Sequence, residues 1–253
     1  MSLLSVEAVV VRFGGIIALD GITFSVPRDS ICGLIGPNGA GKTTLFNCLS
    51  GLYRYNSGNI VFSGRSLSGM PANRRASAGI GRTFQNLALF QTMTVRENIL
   101  AGTHYRFDAG VMANALRLPT ARRAEDEAWE VTELLIDLLD LGAVAEKTVA
   151  GLPFGTQKRV ELGRALASGP KLLLLDEPAC GLNHEEVNEL AQLIRRVRSQ
   201  FVVTILLVEH HMGLVMSLCD HIVVLNFGRM IAEGTPTQIR DNPEVIRAYL
   251  GEG

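Results

Sequence analysis

The glycine-rich segment at residues 36–44 has the residue types and the spacing to hold a chain of phosphate groups. It reads Gly36-Pro37-Asn38-Gly39-Ala40-Gly41-Lys42-Thr43-Thr44. Glycine adopts positive φ angles at little steric cost, so such a loop can direct successive backbone N–H groups at one anion. Lys42 would place a positive charge near the β- and γ-phosphates, and the hydroxyl of Thr43 would ligate Mg²⁺. The segment therefore predicts binding of a nucleoside triphosphate together with Mg²⁺.

The residues on either side of this loop predict the elements that would position it. Residues 30–35 form a short apolar run with the length of a buried strand. Residues 44–50 continue as a helix that Gly51 would end. A helix that starts near Gly41 would direct the positive end of its dipole at the ligand. Strand, loop and helix in this order are what the motif requires.

Asp176 and Glu177 end a leucine-rich run and are candidates for the chemistry of phosphate transfer. In an open α/β sheet, ligands bind beyond the carboxyl ends of the strands, so both acids would face the phosphate loop. We interpret Asp176 as part of the Mg²⁺ site and Glu177 as the general base for a water that attacks the γ-phosphate. Without the loop, the same pair would be read as an acidic turn before Pro178.

Gln85 and His210 are further candidates because both follow strand-like segments. Gln85 ends residues 79–85, and its amide could contact both Mg²⁺ and the attacking water. His210 follows the apolar run at residues 204–208, where its imidazole could hydrogen-bond the γ-phosphate. The neighbouring His211 would face elsewhere, and we assign it no role. Taken singly, a glutamine or a histidine here would be read as a surface or structural residue.

A second helix start, Gly155-Thr156-Gln157, precedes a helix predicted over residues 158–167. The N-terminus of a helix attracts anions. Within a single chain this position has no evident ligand, so the segment alone would be read as a glycine-containing helix start.

The composition bounds the class of protein. A chain of 253 residues with 47% hydrophobic residues can bury a substantial core in one large domain. A formal net charge of −1, with 19% charged residues, gives no broad basic surface for nucleic acid. No apolar run approaches the roughly 18 residues of a membrane span, so a membrane role would come through a partner. Four scattered cysteines without a C-x-x-C pair predict reduced thiols and a cytosolic compartment.

Short β-branched runs alternate with helical segments along the chain and predict an α/β fold. The strand-like runs are residues 6–11, 31–35, 60–62, 172–176, 202–208 and 222–225. Several are continuously apolar, which is typical of strands buried on both faces. Strand-like runs are few between residues 87 and 153, where residues 122–141 form an amphipathic segment. We predict a helical lobe over residues 87–157, inserted into a core formed by residues 1–86 and 158–253.

The order of these motifs resembles that of the ATP-binding-cassette ATPases over essentially the whole chain. The motifs are the phosphate loop, Gln85, the Gly155 helix start, the Asp176-Glu177 strand end and His210. The resemblance implies a mixed sheet flanked by helices, with an antiparallel N-terminal β part and an inserted helical lobe. It also implies hydrolysis of ATP with Mg²⁺ as cofactor.

Further residues take their roles from this resemblance alone. Phe13 would stack on adenine, and residues 179–183 resemble the loop that communicates between two ATP sites. Gly155, Thr156 and Gln157 resemble the signature motif, which completes the ATP site of a partner subunit across a head-to-tail dimer. ATP binding would then join two ATPase subunits, and hydrolysis would release them.

Several segments are similar to the longer ATPase subunit of branched-chain, or hydrophobic, amino-acid importers. They are residues 12–15, 18–19, 181–183, 208–210 and 242–251. This resemblance implies a peripheral protein at the cytoplasmic face of the inner membrane, which pairs with itself or with a second ATPase subunit. It would contact membrane-embedded permease subunits through the helical lobe near Gln85. A periplasmic solute-binding protein would act on it only indirectly, and nucleic acid would not be a partner. Urea importers and the lipopolysaccharide-export ATPase resemble the same subunit and are kept as alternatives.

A few positions depart from the wider family pattern. Pro153 and Phe154 replace the usual Ser-Gly, Thr156 replaces a Gln, Asn183 replaces an Asp, and His211 replaces the Asp common in the amino-acid importers. These departures leave open whether the two sites of an assembled transporter are equally active.

Two other classes of protein are alternatives to a transport ATPase. A soluble cassette protein that acts on nucleic acid or ribosomes usually carries two cassettes or long coiled arms, whereas this chain has one cassette and no heptad run. A phosphate-loop kinase or GTPase would leave His210 and the Gly155 helix without a role. Binding without turnover is disfavoured by Glu177.

Overall fold

The chain folds into two β-sheets with surrounding helices in a computed structural model that describes residues 2–84, 87–104, 106 and 119–250. The strands are β1 (Ser2–Phe13), β2 (Ile16–Pro27), β3 (Ile31–Ile35), β4 (Ser57–Phe62), β5 (Arg65–Ser66), β6 (Ile80–Arg82), β7 (Leu172–Asp176), β8 (Thr204–Val208), β9 (His221–Asn226) and β10 (Arg229–Gly234). The α-helices are α1 (Lys42–Ser50), α2 (Ala72–Ser77), α3 (Val95–Gly102), α4 (Pro119–Leu138), α5 (Phe154–Ala167), α6 (His184–Phe201), α7 (Met212–Leu218), α8 (Pro236–Arg240) and α9 (Pro243–Leu250). Short 3₁₀ turns at Gly142–Val144 and Val149–Gly151 lie between α4 and α5.

The larger sheet positions the candidate site. Its strand order is β10-β9-β3-β8-β7-β6, and the neighbouring strands are parallel except for β9 and β10. Every residue of β3, β7 and β8 is buried, as expected for strands that are covered on both faces. The continuously apolar strands predicted at residues 31–35 and 172–176 are confirmed at the same residues. The carboxyl ends of β7 and β8 lie side by side, with Asp176 opposite Val208.

The smaller sheet is antiparallel, with the order β2-β1-β4-β5, and it confirms the predicted N-terminal β part. The sequence did not predict β2, which alternates exposed and buried residues over most of its length. A turn at Gly14, which has φ 58°, joins β1 to β2. This hairpin reaches the phosphate loop, since a Cβ built on Gly41 would lie 2.7 Å from the carbonyl oxygen of Ala18.

Two apolar clusters stabilise the fold on opposite faces of the larger sheet. Ile31 belongs to the cluster that joins the sheet to the helices, whereas its neighbour Cys32 belongs to the cluster beneath the smaller sheet and α1. Cys48 and Cys219 also lie in these clusters, and Cys180 is exposed. All four thiols are free, as the sequence predicted.

The predicted helical segments exist, but their bounds differ from the prediction. The amphipathic segment at residues 122–141 corresponds to α4, and Asp140 adopts a positive φ of 56° just beyond its end. The helix predicted over residues 158–167 already begins at Phe154, so the predicted boundary between lobe and core at residues 157 and 158 falls inside α5. The strand predicted at residues 202–208 begins at Thr204, because Val202 adopts φ 49° at the end of α6. Within the described residues, none of the helices has the length and apolar character needed to cross a membrane.

Candidate functional site

The phosphate loop connects β3 to α1 in a conformation that requires glycine. Gly36 has φ 148° and Gly41 has φ 102°. A Cβ on Gly36 would collide with the carbonyl oxygen of Leu225, and one on Gly41 would collide with Ala18. Gly41 is the N-cap of α1 and supplies no side-chain cap, so the first N–H groups of this helix can face an anion.

The side chain of Lys42 lies inside the loop. Its Nζ donates hydrogen bonds to the carbonyl oxygens of Gly36 at 2.7 Å and Pro37 at 2.9 Å. Burial lowers the pKa of Lys42 below its ordinary value, and the nearby Glu177 and Asp176 act in the opposite direction. The loop carbonyls therefore hold an ammonium group between the glycine-rich turn and the two carboxylates.

Asp176 is the last residue of β7 and is paired with an arginine. Its Oδ2 lies 2.8 Å from Nη2 of Arg82, and only 4% of its side-chain surface is exposed. Burial raises the pKa of the Asp176 carboxyl, whereas Arg82 lowers it. Thr43 lies in the first turn of α1, beside Lys42. A hydroxyl and a carboxylate are the hard oxygen donors that Mg²⁺ prefers, so this donor set fits the predicted metal.

Glu177 and His210 are in direct contact at the carboxyl edge of the sheet. Nε2 of His210 lies 3.1 Å from Oε1 of Glu177. Glu177 adopts a positive φ of 47°, and its N–H donates to the carbonyl oxygen of Val208 at 2.9 Å. His211 faces away from this contact, as predicted, because its Nδ1 accepts a hydrogen bond from the N–H of Leu214 at the start of α7.

The sequence did not identify the two buried side chains that fix the backbone around this contact. The carboxylate of Glu209 accepts hydrogen bonds from the N–H groups of Ala179 at 2.6 Å and His210 at 2.9 Å. Nζ of Lys158 donates to the carbonyl oxygen of Glu177 at 3.2 Å. Glu209 directly precedes the candidate His210, so its position in the sequence was a usable signal. Lys158 is 19 positions away from Glu177 in the chain, and no local pattern indicated its contact.

Gln85 itself lies outside the described residues, but the residues that surround it are tied to α5. The buried carboxylate of Glu161 accepts hydrogen bonds from the N–H groups of Phe84 at 3.0 Å and Ala88 at 3.5 Å. Burial raises the pKa of Glu161, and these two N–H groups lower it. The chain on both sides of Gln85 is therefore anchored to the helix that begins at the Gly155 segment.

Gly155, Thr156 and Gln157 lie in the first turn of α5. A Cβ on Gly155 would lie 3.1 Å from Oε1 of Glu186, and Gln157 Nε2 donates to the carbonyl oxygen of Leu152 at 2.9 Å. The segment thus packs beside α6 of its own chain.

Phe13 ends β1 and is 47% exposed. Its ring meets that of Tyr53 edge to face, with a centroid separation of 5.4 Å and an interplanar angle of 74°. Edge-to-face pairs of this kind restrain both rings. One face of the hairpin beside the phosphate loop therefore presents an accessible aromatic ring.

A groove of about 370 Å³ opens between the end of α1, β6 and the helical segments. Its lining includes the exposed apolar residues Leu52, Phe84 and Phe90, together with Arg82 and Arg164. The groove therefore combines apolar and cationic surface next to the chain segment that leads to residue 85.

Two models of known protein families match this chain. A family model described as "ABC transporter" matches residues 19–180. A second model, described as "Branched-chain amino acid ATP-binding cassette transporter", matches residues 229–253.

Curated relatives match nearly the full length of the chain. The high-affinity branched-chain amino acid transport ATP-binding protein BraF of Pseudomonas aeruginosa is 45% identical over 99% of this chain and 98% of that protein. LivG of Escherichia coli K12, which has the same description, is 44% identical over the same shares of each chain. The lipopolysaccharide export system ATP-binding protein LptB of Haemophilus influenzae is 33% identical over 100% of this chain and 98% of that protein.

Solved structures match the whole fold. A nucleotide-free ATP-binding cassette from an ABC transporter aligns with a TM-score of 0.86 and 29% identity, and the alignment covers 100% of both chains. An ATP-binding cassette of an ABC transporter in its ADP conformation aligns with a TM-score of 0.82 and 29% identity, again over 100% of both chains.

Proposed function

Because the chain belongs to the ABC transporter family, we propose that it is the ATP-hydrolysing subunit of an importer for branched-chain or other hydrophobic amino acids. As a member of this family the chain binds ATP and hydrolyses it. The names of its relatives BraF and LivG support the choice of solute, and so does the C-terminal family match. One observation carries the proposed site: the phosphate loop, the Asp176-Glu177 pair and His210 follow three adjacent parallel strands at the same edge of one sheet.

The triphosphate would lie across the phosphate loop and the N-terminus of α1. Lys42 would turn from the carbonyl oxygens of Gly36 and Pro37 to the β- and γ-phosphates. Residues 36–44 would supply backbone N–H groups, and Phe13 would stack on the adenine ring. The exposure of Phe13 and its support by Tyr53 favour that role.

Thr43, Asp176 and Gln85 would hold Mg²⁺, which prefers oxygen ligands and keeps several waters. Bound there, the ion would neutralise charge on the β- and γ-phosphates. Asp176 offers Oδ1 for this purpose, since Arg82 contacts its Oδ2.

Glu177 would act as the general base. Its carboxylate would accept a proton from the water that attacks the γ-phosphate, and the contact with Nε2 of His210 would hold the carboxylate in place. His210 is exposed on the same edge, so its ring can also reach the γ-phosphate.

A second ATPase subunit would complete the site. Asn38 and Gly39 are exposed at the tip of the phosphate loop, and Gly155 lies at the partly exposed start of α5. In a head-to-tail dimer, the segment Gly155-Thr156-Gln157 of one subunit would meet the ATP bound by the other. Either a second copy of the chain or a related subunit could fill this role.

Permease subunits would dock in the groove lined by Phe84 and Phe90, which would hold the protein at the cytoplasmic face of the inner membrane. The groove borders both the segment before residue 85 and the helical lobe proposed over residues 87–157. A short permease helix with apolar and acidic side chains would match its apolar and cationic lining.

Uptake of labelled solutes by cells that lack this chain tests the proposed transport function. We expect loss of leucine, isoleucine and valine uptake, and restoration by the intact chain but not by Glu177→Gln. Normal uptake of these amino acids would contradict the proposed solute. Loss of urea uptake would then support a urea importer, and defective lipopolysaccharide export would support an export ATPase.

A further inference from the structure

Arg82 bridges the two elements that carry the proposed Mg²⁺ ligands. It is the last residue of β6, which pairs with β7, and its guanidinium reaches across to α1. Only 8% of its side-chain surface is exposed. The residue therefore connects α1, whose first turn contains Thr43, to Asp176 at the end of β7.

The guanidinium divides its donors between the two elements. Nη2 contacts Oδ2 of Asp176 at 2.8 Å. Nη1 donates to Oδ1 of Asn47 at 2.8 Å and to Oγ of Ser50 at 2.7 Å, both on α1. The planar fork of arginine allows one side chain to hold both partners at once, which a lysine cannot reproduce.

This orientation leaves one donor unsatisfied. Among the described residues, Nε of Arg82 is buried without a hydrogen-bond partner. A buried unpaired donor lowers stability. The side chain of Arg82 therefore keeps its contacts with Asp176 and α1 although its Nε has no hydrogen-bond partner. The guanidinium also lies over the rings of Phe46 at 5.8 Å and Phe84 at 5.1 Å from their centroids, which restricts its movement.

We propose that Arg82 is a positioning residue that holds the carboxylate of Asp176 in register with α1, so that Asp176 and Thr43 can ligate the same Mg²⁺. The inference rests on the proposed role of Asp176 in holding Mg²⁺. Arg82 itself touches neither the metal nor the nucleotide. Outer-shell groups that orient a metal-binding carboxylate typically change metal affinity by about 10- to 100-fold when they are removed.

Binding of Mn²⁺, followed by electron paramagnetic resonance in the presence of a non-hydrolysable ATP analogue, tests this inference. We expect Arg82→Gln to weaken Mn²⁺ binding by about tenfold or more. Arg82→Lys should fall between Arg82→Gln and the unsubstituted protein, because the charge remains but the fork is lost. Binding of the analogue in the presence of EDTA should change little.

Arg75→Gln is the matched control. Arg75 is also a buried arginine next to α1, where it donates to the carbonyl oxygens of Cys48 and Leu49, and its other hydrogen bonds go to the carbonyl oxygens of Met70 and Leu67. This variant should lower the free energy of unfolding and leave Mn²⁺ affinity unchanged. Equal weakening of Mn²⁺ binding in Arg75→Gln and Arg82→Gln would overturn the inference, because general loosening of α1 would then explain both.

The double variant Asn47→Ala, Ser50→Ala keeps the contact with Asp176 and removes the anchor on α1. We expect it to weaken Mn²⁺ binding several-fold, and it provides the decisive result if Arg82→Gln does not fold. Unchanged Mn²⁺ affinity in this variant, or in a folded Arg82→Gln, would refute the positioning role.

Asp176→Asn separates the two proposals: if it binds Mn²⁺ normally, the proposed metal site is wrong, irrespective of Arg82.

Discussion

Nε2 of His210 lies 3.1 Å from Oε1 of Glu177, although the two residues follow different strands and are 33 positions apart in the chain. The parallel pairing of β7 with β8 brings these strand ends together. The hydrogen bond from the N–H of Glu177 to Val208 ties one strand end to the other. The contact between the carboxylate and the imidazole therefore follows from the pairing of these two strands.

His210→Ala should lower kcat for ATP hydrolysis by about tenfold or more, with a smaller change in KM, because the base loses the group that orients it. Steady-state kinetics of the purified protein check this. His211→Ala is the control: it removes the side-chain cap of α7, which costs about 1 kcal/mol of stability, and should leave kcat unchanged. Equal loss of kcat in both variants would contradict a specific role for His210.

Lys42→Ala should abolish most of the affinity for ATP, since the loop would lose its only charged donor to the phosphates. Titration with a fluorescent ATP analogue measures the effect. Thermal unfolding of the nucleotide-free variant serves as the control for folding. Affinity equal to that of the unsubstituted protein would count against the phosphate loop as the binding site.

Phe13→Ala should weaken ATP binding by about 1–3 kcal/mol, the usual value of stacking between a base and an aromatic ring. Isothermal titration with ATP measures the loss, and the same titration with inorganic tripolyphosphate provides the control. The predicted result is weaker ATP binding with unchanged tripolyphosphate binding. If ATP affinity is undiminished, Phe13 does not stack on adenine.

Glu161→Gln should change how stability depends on pH. Burial raises the pKa of Glu161 in the folded protein, so between its ordinary and raised pKa the folded state holds a proton that the unfolded state has released. The free energy of unfolding therefore falls as the pH rises from the ordinary pKa of a glutamate to the raised pKa of Glu161. Glu161→Gln has no carboxyl group to titrate at this position, so its free energy of unfolding does not show this decrease.

Urea unfolding between pH values of about 4 and about 8 should show the stability of Glu161→Gln rising relative to the unsubstituted protein as pH increases. Glu130→Gln, at an exposed position on α4, controls for the removal of one negative charge. A stability difference for Glu161→Gln that does not change with pH would contradict the effect of burial.

The sequence predicts the parts of this fold that local pattern determines. The strands at Ile31–Ile35 and Leu172–Asp176 are predicted at their observed bounds because each is a short, largely apolar run of strand length with Gly or Pro nearby in the sequence. The strand at Ile16–Pro27 was missed because its alternation is irregular at the start and Gly21 interrupts it. The start of α5 was misplaced because Pro153 and Gly155 obscured a helix that begins between them.

The supporting residues of the site could not be predicted from local pattern. Arg82 and Asp176 are 94 positions apart, and Glu161 and Phe84 are 77 positions apart. Their contacts arise only when β6 pairs with β7 and α5 packs beside them. Motifs identify the groups that would touch the nucleotide, whereas tertiary packing selects the groups that hold them in place.

If Glu177 is the general base of this ATPase, Glu177→Gln is the variant that tests its role most directly. The amide keeps the size of the side chain but cannot accept the proton, so ATP hydrolysis should fall by about 10²- to 10⁴-fold. ATP affinity should be retained, and size-exclusion chromatography with ATP should show an accumulated closed dimer. Hydrolysis at the rate of the unsubstituted protein would contradict the role of Glu177 as the general base.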